Sequence, residues 1–160
     1  MNILFLGLGS IGQRHLRNVY KIDKKTNFFA IRKKYFTPLL TNRNQSIRGD
    51  IEKKYRIRVF RSLQDFKREK INIDAAFVCT PSKFHIDETI WLMKNNINVF
   101  VEKPLGSSLR NIKILKKLIA SKPKILNMMG YQLKFNPIIL KLKKILKKNI
   151  IGDIYNIFIS

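Results

Sequence analysis

Short apolar runs alternate with longer amphipathic stretches along most of this 160-residue chain, and that alternation limits the folds open to it. The runs are Ile3–Leu6, Phe28–Ile31, Ala75–Cys79, Ile97–Val101 and Lys124–Met129, with Arg56–Phe60 as a sixth in which Ile57 and Val59 alternate with basic residues. Continuous apolar runs suit strands covered on both faces, as in a parallel sheet, whereas the alternating one reads as a half-exposed or edge strand. Helical spacing fills the gaps at Ile11–Tyr20, at Leu63–Lys70 and at His85–Asn95. Ser62 is placed to cap the second of these, with Asp65 three residues on. Ser107 or Ser108 is placed to cap a further helix through Ala120, and Asn136–Asn149 sets Ile138, Ile139, Leu142, Ile145 and Leu146 against five lysines. Lys33–Gly49 is polar and basic and reads as a loop. Gly152-Asp153 reads as a turn before a last strand, Ile154–Ile159. The order predicts an α/β fold, a doubly wound, mostly parallel sheet with right-handed crossovers.

Composition narrows the function classes. The chain is 45% hydrophobic, enough for a core, and a single cysteine excludes an internal disulfide framework and a cysteine-only zinc site. The start, Met1-Asn2-Ile3-Leu4-Phe5, has no basic leader and reads as a buried strand, and no run reaches the length of a spanning helix. The expectation is a reduced, cytoplasmic, soluble protein. The 33 Lys and Arg against 10 Asp and Glu, net +23, raise the question of nucleic acid. The basic residues lie mainly on polar helix faces and in the Lys33–Arg48 loop. They lack the interleaved aromatics of a single-strand-binding surface. The lysine-rich Asn136–Asn149 lacks an aromatic anchor on its apolar face, so it reads as a packed helix rather than a membrane-surface one. Neither nucleic acid nor membrane is expected as a partner.

Gly7-Leu8-Gly9-Ser10-Ile11-Gly12 is a G-x-G-x-x-G between a predicted strand and a predicted helix, the context a dinucleotide-binding turn requires. Gly7 permits the tight turn, Gly9 lets the backbone approach a pyrophosphate, and Gly12 allows close helix–strand packing. The helix start at Ser10 and Ile11 offers free N–H groups to phosphate. Where an acidic residue would bind the adenosine ribose of NAD, this chain has Arg32-Lys33-Lys34. A guanidinium there can pair with a 2′-phosphate, so NADP is expected over NAD. Cys79-Thr80-Pro81-Ser82-Lys83-Phe84-His85 and Glu102-Lys103-Pro104 each end a predicted strand, where open α/β sheets bind ligands. Cys79 reads as a small buried residue, and His85 alone reads as a helix-start hydrogen-bonder.

In this order the three motifs resemble the amino-terminal domain of the Gfo/Idh/MocA oxidoreductases (glucose–fructose oxidoreductase, inositol 2-dehydrogenase). The Gly130–Pro137 segment is similar to that family's stretch leading to a linking helix, with Lys134 where an arginine is common. The resemblance implies a Rossmann NAD(P)-binding domain over residues 1–130, and over 131–160 a linking helix and the first strand of a second, α+β domain that is truncated here. It implies that Gly7, Gly9 and Gly12 hold the pyrophosphate and that Arg32 meets the adenosine end. Thr80, Pro81 and His85 would border the nicotinamide half, Glu102 would contact its ribose, and Lys103 would reach the substrate as the catalytic residue. The implied reaction is hydride transfer between nicotinamide and a sugar-like or nucleotide-sugar alcohol or carbonyl. The family's catalytic histidine would lie in the second domain, so a separately encoded carboxyl-terminal domain or a homo-oligomer is the expected partner. The alternatives are a non-catalytic dinucleotide-binding or regulatory module, or an inactive remnant.

Overall fold

The structure, a computed structural model, describes residues 1–32 and 38–158. The chain forms two compact units, Met1–Gly130 and Tyr131–Ser160. In the first, β1 (Asn2–Leu6) leads through α1 (Ser10–Ile22) to β2 (Asn27–Ile31). A two-stranded ribbon, β3 (Leu39–Leu40) and β4 (Ser46–Ile47), and the short α2 (Ile51–Tyr55) precede β5 (Ile57–Phe60). The unit continues through α3 (Leu63–Arg68), β6 (Ala75–Val78), α4 (His85–Lys94), β7 (Asn98–Val101), α5 (Ile112–Ser121) and β8 (Asn127–Met129).

Six strands make one sheet in the order β5-β2-β1-β6-β7-β8, every pairing parallel. The register sets Leu6 beside Ile31 on one side and beside Val78 on the other. The winding of the chain reverses between β1 and β6, and their carboxyl ends flank the crevice where such sheets take ligands. The alternation of β1 shows how both faces are covered. Ile3 and Phe5 join Leu16 of α1 with Ile51 and Tyr55 of α2, while Leu4 and Leu6 join Phe66, Ile86, Ile90 and Leu115 of α3, α4 and α5. The doubly wound α/β prediction is met, and β5 lies at an edge as its alternating pattern required.

Local chemistry explains where the elements depart from the sequence reading. Ser62 caps α3, accepting the Asp65 N–H at 3.1 Å, as expected. Residues 39–47 are not all loop, because Leu39 and Leu40 pair with Ile47 and Ser46. Gln13 of α1, fully buried, ties the ribbon down by accepting the Leu40 N–H and donating to the Pro38 carbonyl, each at 2.9 Å. Arg17 donates to the Leu40 carbonyl. The basic pair Lys33-Lys34 lies outside the described residues. Neither Ser107 nor Ser108 caps α5, because a turn closed from the Ile112 N–H to the Leu109 carbonyl lies between them and the helix, which starts at Ile112. Asn111 precedes α5 in the left-handed region at φ 61° and spends its amide on Asp87. β8 is shorter than Lys124–Met129 because Ile125 closes a turn onto the Lys122 carbonyl.

In the second unit Asn136 caps α6 (Pro137–Lys147), accepting the Ile138 N–H at 2.9 Å, and proline at the first helical position suits that start. The sequence predicts a packed helix here, yet none of the α6 residues is buried, and Ile138, Leu140 and Leu142 are exposed. The strand expected from Ile154 does not form over residues 154–158, because no ladder among the described residues offers it a neighbour; Ile159 lies outside those residues. Among the described residues no helix is long and apolar enough to cross a membrane.

Candidate functional site

The turn after β1 carries the first group. Gly7 has φ +92°, and a Cβ on it would lie 2.8 Å from the Cys79 carbonyl oxygen, so only glycine fits. A Cβ on Gly12 would strike the Gly7 carbonyl oxygen. At Gly9 neither constraint exists: φ is −68° and nothing lies within 4 Å of its Cβ position. Gly9 is the N-cap of α1, with no side-chain cap and no acidic residue in the first turn. Helix-start N–H groups left without partners, at the positive end of the helix dipole, bind anions. Exposed Ser10 and half-buried Ile11 begin that turn.

At the neighbouring strand end, Arg32 follows β2 and donates its N–H to the Phe60 carbonyl at 3.0 Å. Its side chain is 8% exposed and pairs with Glu52 of α2 at 2.7 Å. Sequence reading found no carboxylate near Arg32; the fold supplies one from twenty residues on.

The ends of β6 and β7 are pinned to one another. His85, buried at the start of α4, sets Nδ1 2.8 Å from the Pro104 carbonyl and Nε2 2.6 Å from the Thr80 carbonyl. It therefore joins the two strand ends and has no ring nitrogen left for a ligand. Thr80 donates its hydroxyl to Glu88. Burial raises the Glu88 pKa to about 7, against the opposing pull of the Thr80 hydrogen bond and His85. Pro81 is exposed beside Thr80. Cys79 is buried as expected; burial pushes its thiol well above the usual range, with the Glu102 and Glu88 carboxylates adding to it, so the group is inert.

Glu102, with a side chain 7% exposed, bonds His15 Nε2 through Oε1 at 2.7 Å and accepts the Lys103 N–H through Oε2 at 3.1 Å. Gly130 makes room for it, since a Cβ there would sit 3.1 Å from Oε1. His15 in turn stacks on Phe77 and meets Phe100 edge-on. Lys103 is exposed, and among the described residues its ammonium has no ion-pair partner. Its backbone is held on both sides, by Glu102 before it and by the Pro104–His85 bond after it, and the Lys103–Pro104 peptide is cis.

Sequence reading missed His15, Glu88 and Glu52. The first two carried a signal: His15 stands three residues after Gly12, and Glu88 three after His85, which places each pair on one helix face. Glu52 carried none. Among the described residues no group of His, Cys, Asp and Glu is arranged to hold a metal ion.

Residues 1–131 match the family model for the Gfo/Idh/MocA oxidoreductases, described as an oxidoreductase family with an NAD-binding Rossmann fold. The chain belongs to that family. Among solved structures it is similar to myo-inositol 2-dehydrogenase from Lactobacillus plantarum, 26% identical over 96% of this chain and 43% of that one, TM-score 0.79. The scyllo-inositol dehydrogenase from Lactobacillus casei, solved with NAD(H) and scyllo-inositol, is 22% identical over 96% and 42%, TM-score 0.76. The WlbA dehydrogenase from Chromobacterium violaceum, solved with NADH and UDP-GlcNAcA, is 19% identical over 97% and 42%, TM-score 0.77. The last two show the shared fold. No curated protein matches the sequence at a significant level. The chain spans less than half the length of these solved relatives.

Proposed function

We propose that this chain is the nicotinamide-dinucleotide-binding part of an oxidoreductase that moves hydride between its cofactor and a sugar-like or nucleotide-sugar alcohol or carbonyl. The observation that carries the reading is the uncapped start of α1 over the open Gly9, flanked by two glycines whose Cβ positions are blocked by backbone. Gly7, Gly9, Ser10, Ile11 and Gly12 would hold the pyrophosphate. Thr80, Pro81 and Glu102 follow the strand ends across the crevice, with His85 at the start of α4, and His85 and Glu102 act from beneath through the backbone they fix. For the choice of cofactor we keep NADP(H) ahead of NAD(H): Arg32 Nε and Nη1 are buried without an acceptor among the described residues, and a 2′-phosphate would supply one.

The cofactor gives or takes the hydride, and the protein binds and orients. Lys103 is the catalytic residue in this reading. Its ammonium projects from a turn pinned on both sides and can donate to a substrate oxygen and stabilise the charge that develops there. The names of the solved relatives support a polyol or nucleotide-sugar substrate. The rest of the substrate pocket comes, in this reading, from a carboxyl-terminal domain or a second copy of the chain. We assign the cytoplasm as compartment, in keeping with a lone free thiol.

Calorimetric titration of the chain with NADH and NADPH tests the reading. Saturable binding at one site is expected, and Lys103→Ala should keep it within about threefold, a change below 1 kcal/mol. No binding of either cofactor would overturn the proposal.

A further inference from the structure

The end of β2 is electrostatically unbalanced in a way that bears on cofactor choice. Arg32 is nine-tenths buried, yet among the described residues only Nη2 of its guanidinium has a partner, Glu52 Oε1. Nε and Nη1 are buried with no acceptor among the described residues. Buried N–H groups of this kind are costly when left unpaired, so the site is short of acceptors. Glu52 stands in the first turn of α2, but Asp50 already caps that helix through the Glu52 and Lys53 N–H groups. The Glu52 side chain is therefore free for another task, and at 40% exposure its carboxylate faces solvent as well as Arg32.

We propose that Glu52 is a specificity-determining residue that restrains NADP(H) binding: its carboxylate holds one edge of Arg32 and sets a negative charge beside the nitrogens that would receive a 2′-phosphate. This rests on the reading of Arg32 as the adenosine-end residue. A carboxylate repels a phosphate but accepts a hydrogen bond from a ribose hydroxyl, so one group acts in opposite directions on the two cofactors. The pair also orders the guanidinium in advance, which explains how a basic strand end can sit in an NAD-binding family without excluding NAD.

The test is calorimetric titration of the full chain with NADH and NADPH, for the unmodified protein, Glu52→Gln, Arg32→Met and the double variant. Glu52→Gln should raise the NADPH-over-NADH affinity ratio about tenfold, mainly by tightening NADPH, and the gain should shrink at high salt. In the Arg32→Met background the same substitution should leave the ratio unchanged, because the repulsion acts on a phosphate that Arg32 no longer holds. An unchanged ratio in Glu52→Gln, with NADPH binding weakened by Arg32→Met, overturns the role of Glu52 and leaves the Arg32 reading standing. A ratio that rises equally in the Arg32→Met background overturns the coupling. Failure of the unmodified chain to bind either cofactor overturns both the inference and the reading beneath it.

Discussion

Gly9→Ala separates what the fold needs from what the ligand needs. At Gly7 and Gly12 a methyl group would meet backbone, but at Gly9 it meets nothing, and the backbone angles there suit any residue. The fold gives no reason for a glycine. In stability, alanine gains about 0.4–1 kcal/mol from a less flexible unfolded chain and loses about the same as a poorer N-cap than glycine. The net change is within about 1 kcal/mol, and the melting temperature should move by no more than about 4 °C. Binding should respond differently, because the added methyl covers the N–H groups at the start of α1. Losing one charge-assisted hydrogen bond of about 1.5–3 kcal/mol weakens NADH about ten- to a hundredfold. Thermal unfolding and calorimetric titration on the same sample read both quantities. Gly12→Ala is the contrast: its methyl strikes the Gly7 carbonyl, and stability should fall by about 3 kcal/mol or more. If Gly9→Ala destabilises as much as Gly12→Ala, the glycine serves the fold. If NADH binding is unchanged, the pyrophosphate does not lie over this turn. Either result refutes the reasoning.

Other residues give sharper readings of the same region. Because burial raises the Glu88 pKa from 4.5 to about 7, the folded state binds the proton more tightly than the unfolded one. Stability from that group is complete below about pH 4.5 and is lost as pH rises to about 7, by at most about 3 kcal/mol. Denaturant melts across that range should show the fall, and Glu88→Gln should flatten it. His85→Ala removes a buried ring that bridges the Thr80 and Pro104 carbonyls, so stability should drop by about 3 kcal/mol or more in urea unfolding. His15→Phe keeps the stacking on Phe77 but deprives Glu102 of its partner. If Lys103 acts as proposed, turnover by this domain joined to a substrate domain should then fall at least tenfold, with cofactor affinity nearly unchanged.

The sheet is legible in the sequence because its signal is local and repeated: apolar runs such as Leu4–Leu6 must be covered on both faces, and the glycine turn sets a helix directly behind β1. The same pattern puts Gly7–Gly12, Arg32, Thr80 and Glu102 at strand ends. Features that escape it depend on contacts between distant segments. The β3–β4 ribbon forms because Gln13 and Arg17 offer it partners across more than twenty residues, and no local pattern announces that. The Arg32–Glu52 pair is of the same kind. Sequence alone makes His85 a helix-start hydrogen-bonder, and the structure enlarges that into a brace between two strand ends, because the second carbonyl comes from Pro104. The stretch from Ile154 has the residues of a strand, but among the described residues it lacks the neighbour that makes one.

Amide chemical-shift mapping by NMR, with NADH and NADPH added to the isotope-labelled chain, tests most directly that the carboxyl ends of β1, β2 and β6 form the dinucleotide site. Saturable shifts concentrated at Gly9–Gln13, Arg32 and Thr80 are expected, with an added response at Glu52 for NADPH. Shifts confined to the amino ends of the strands, around Asn72–Asp74 and Asn96–Asn98, or no shifts at all, would contradict it.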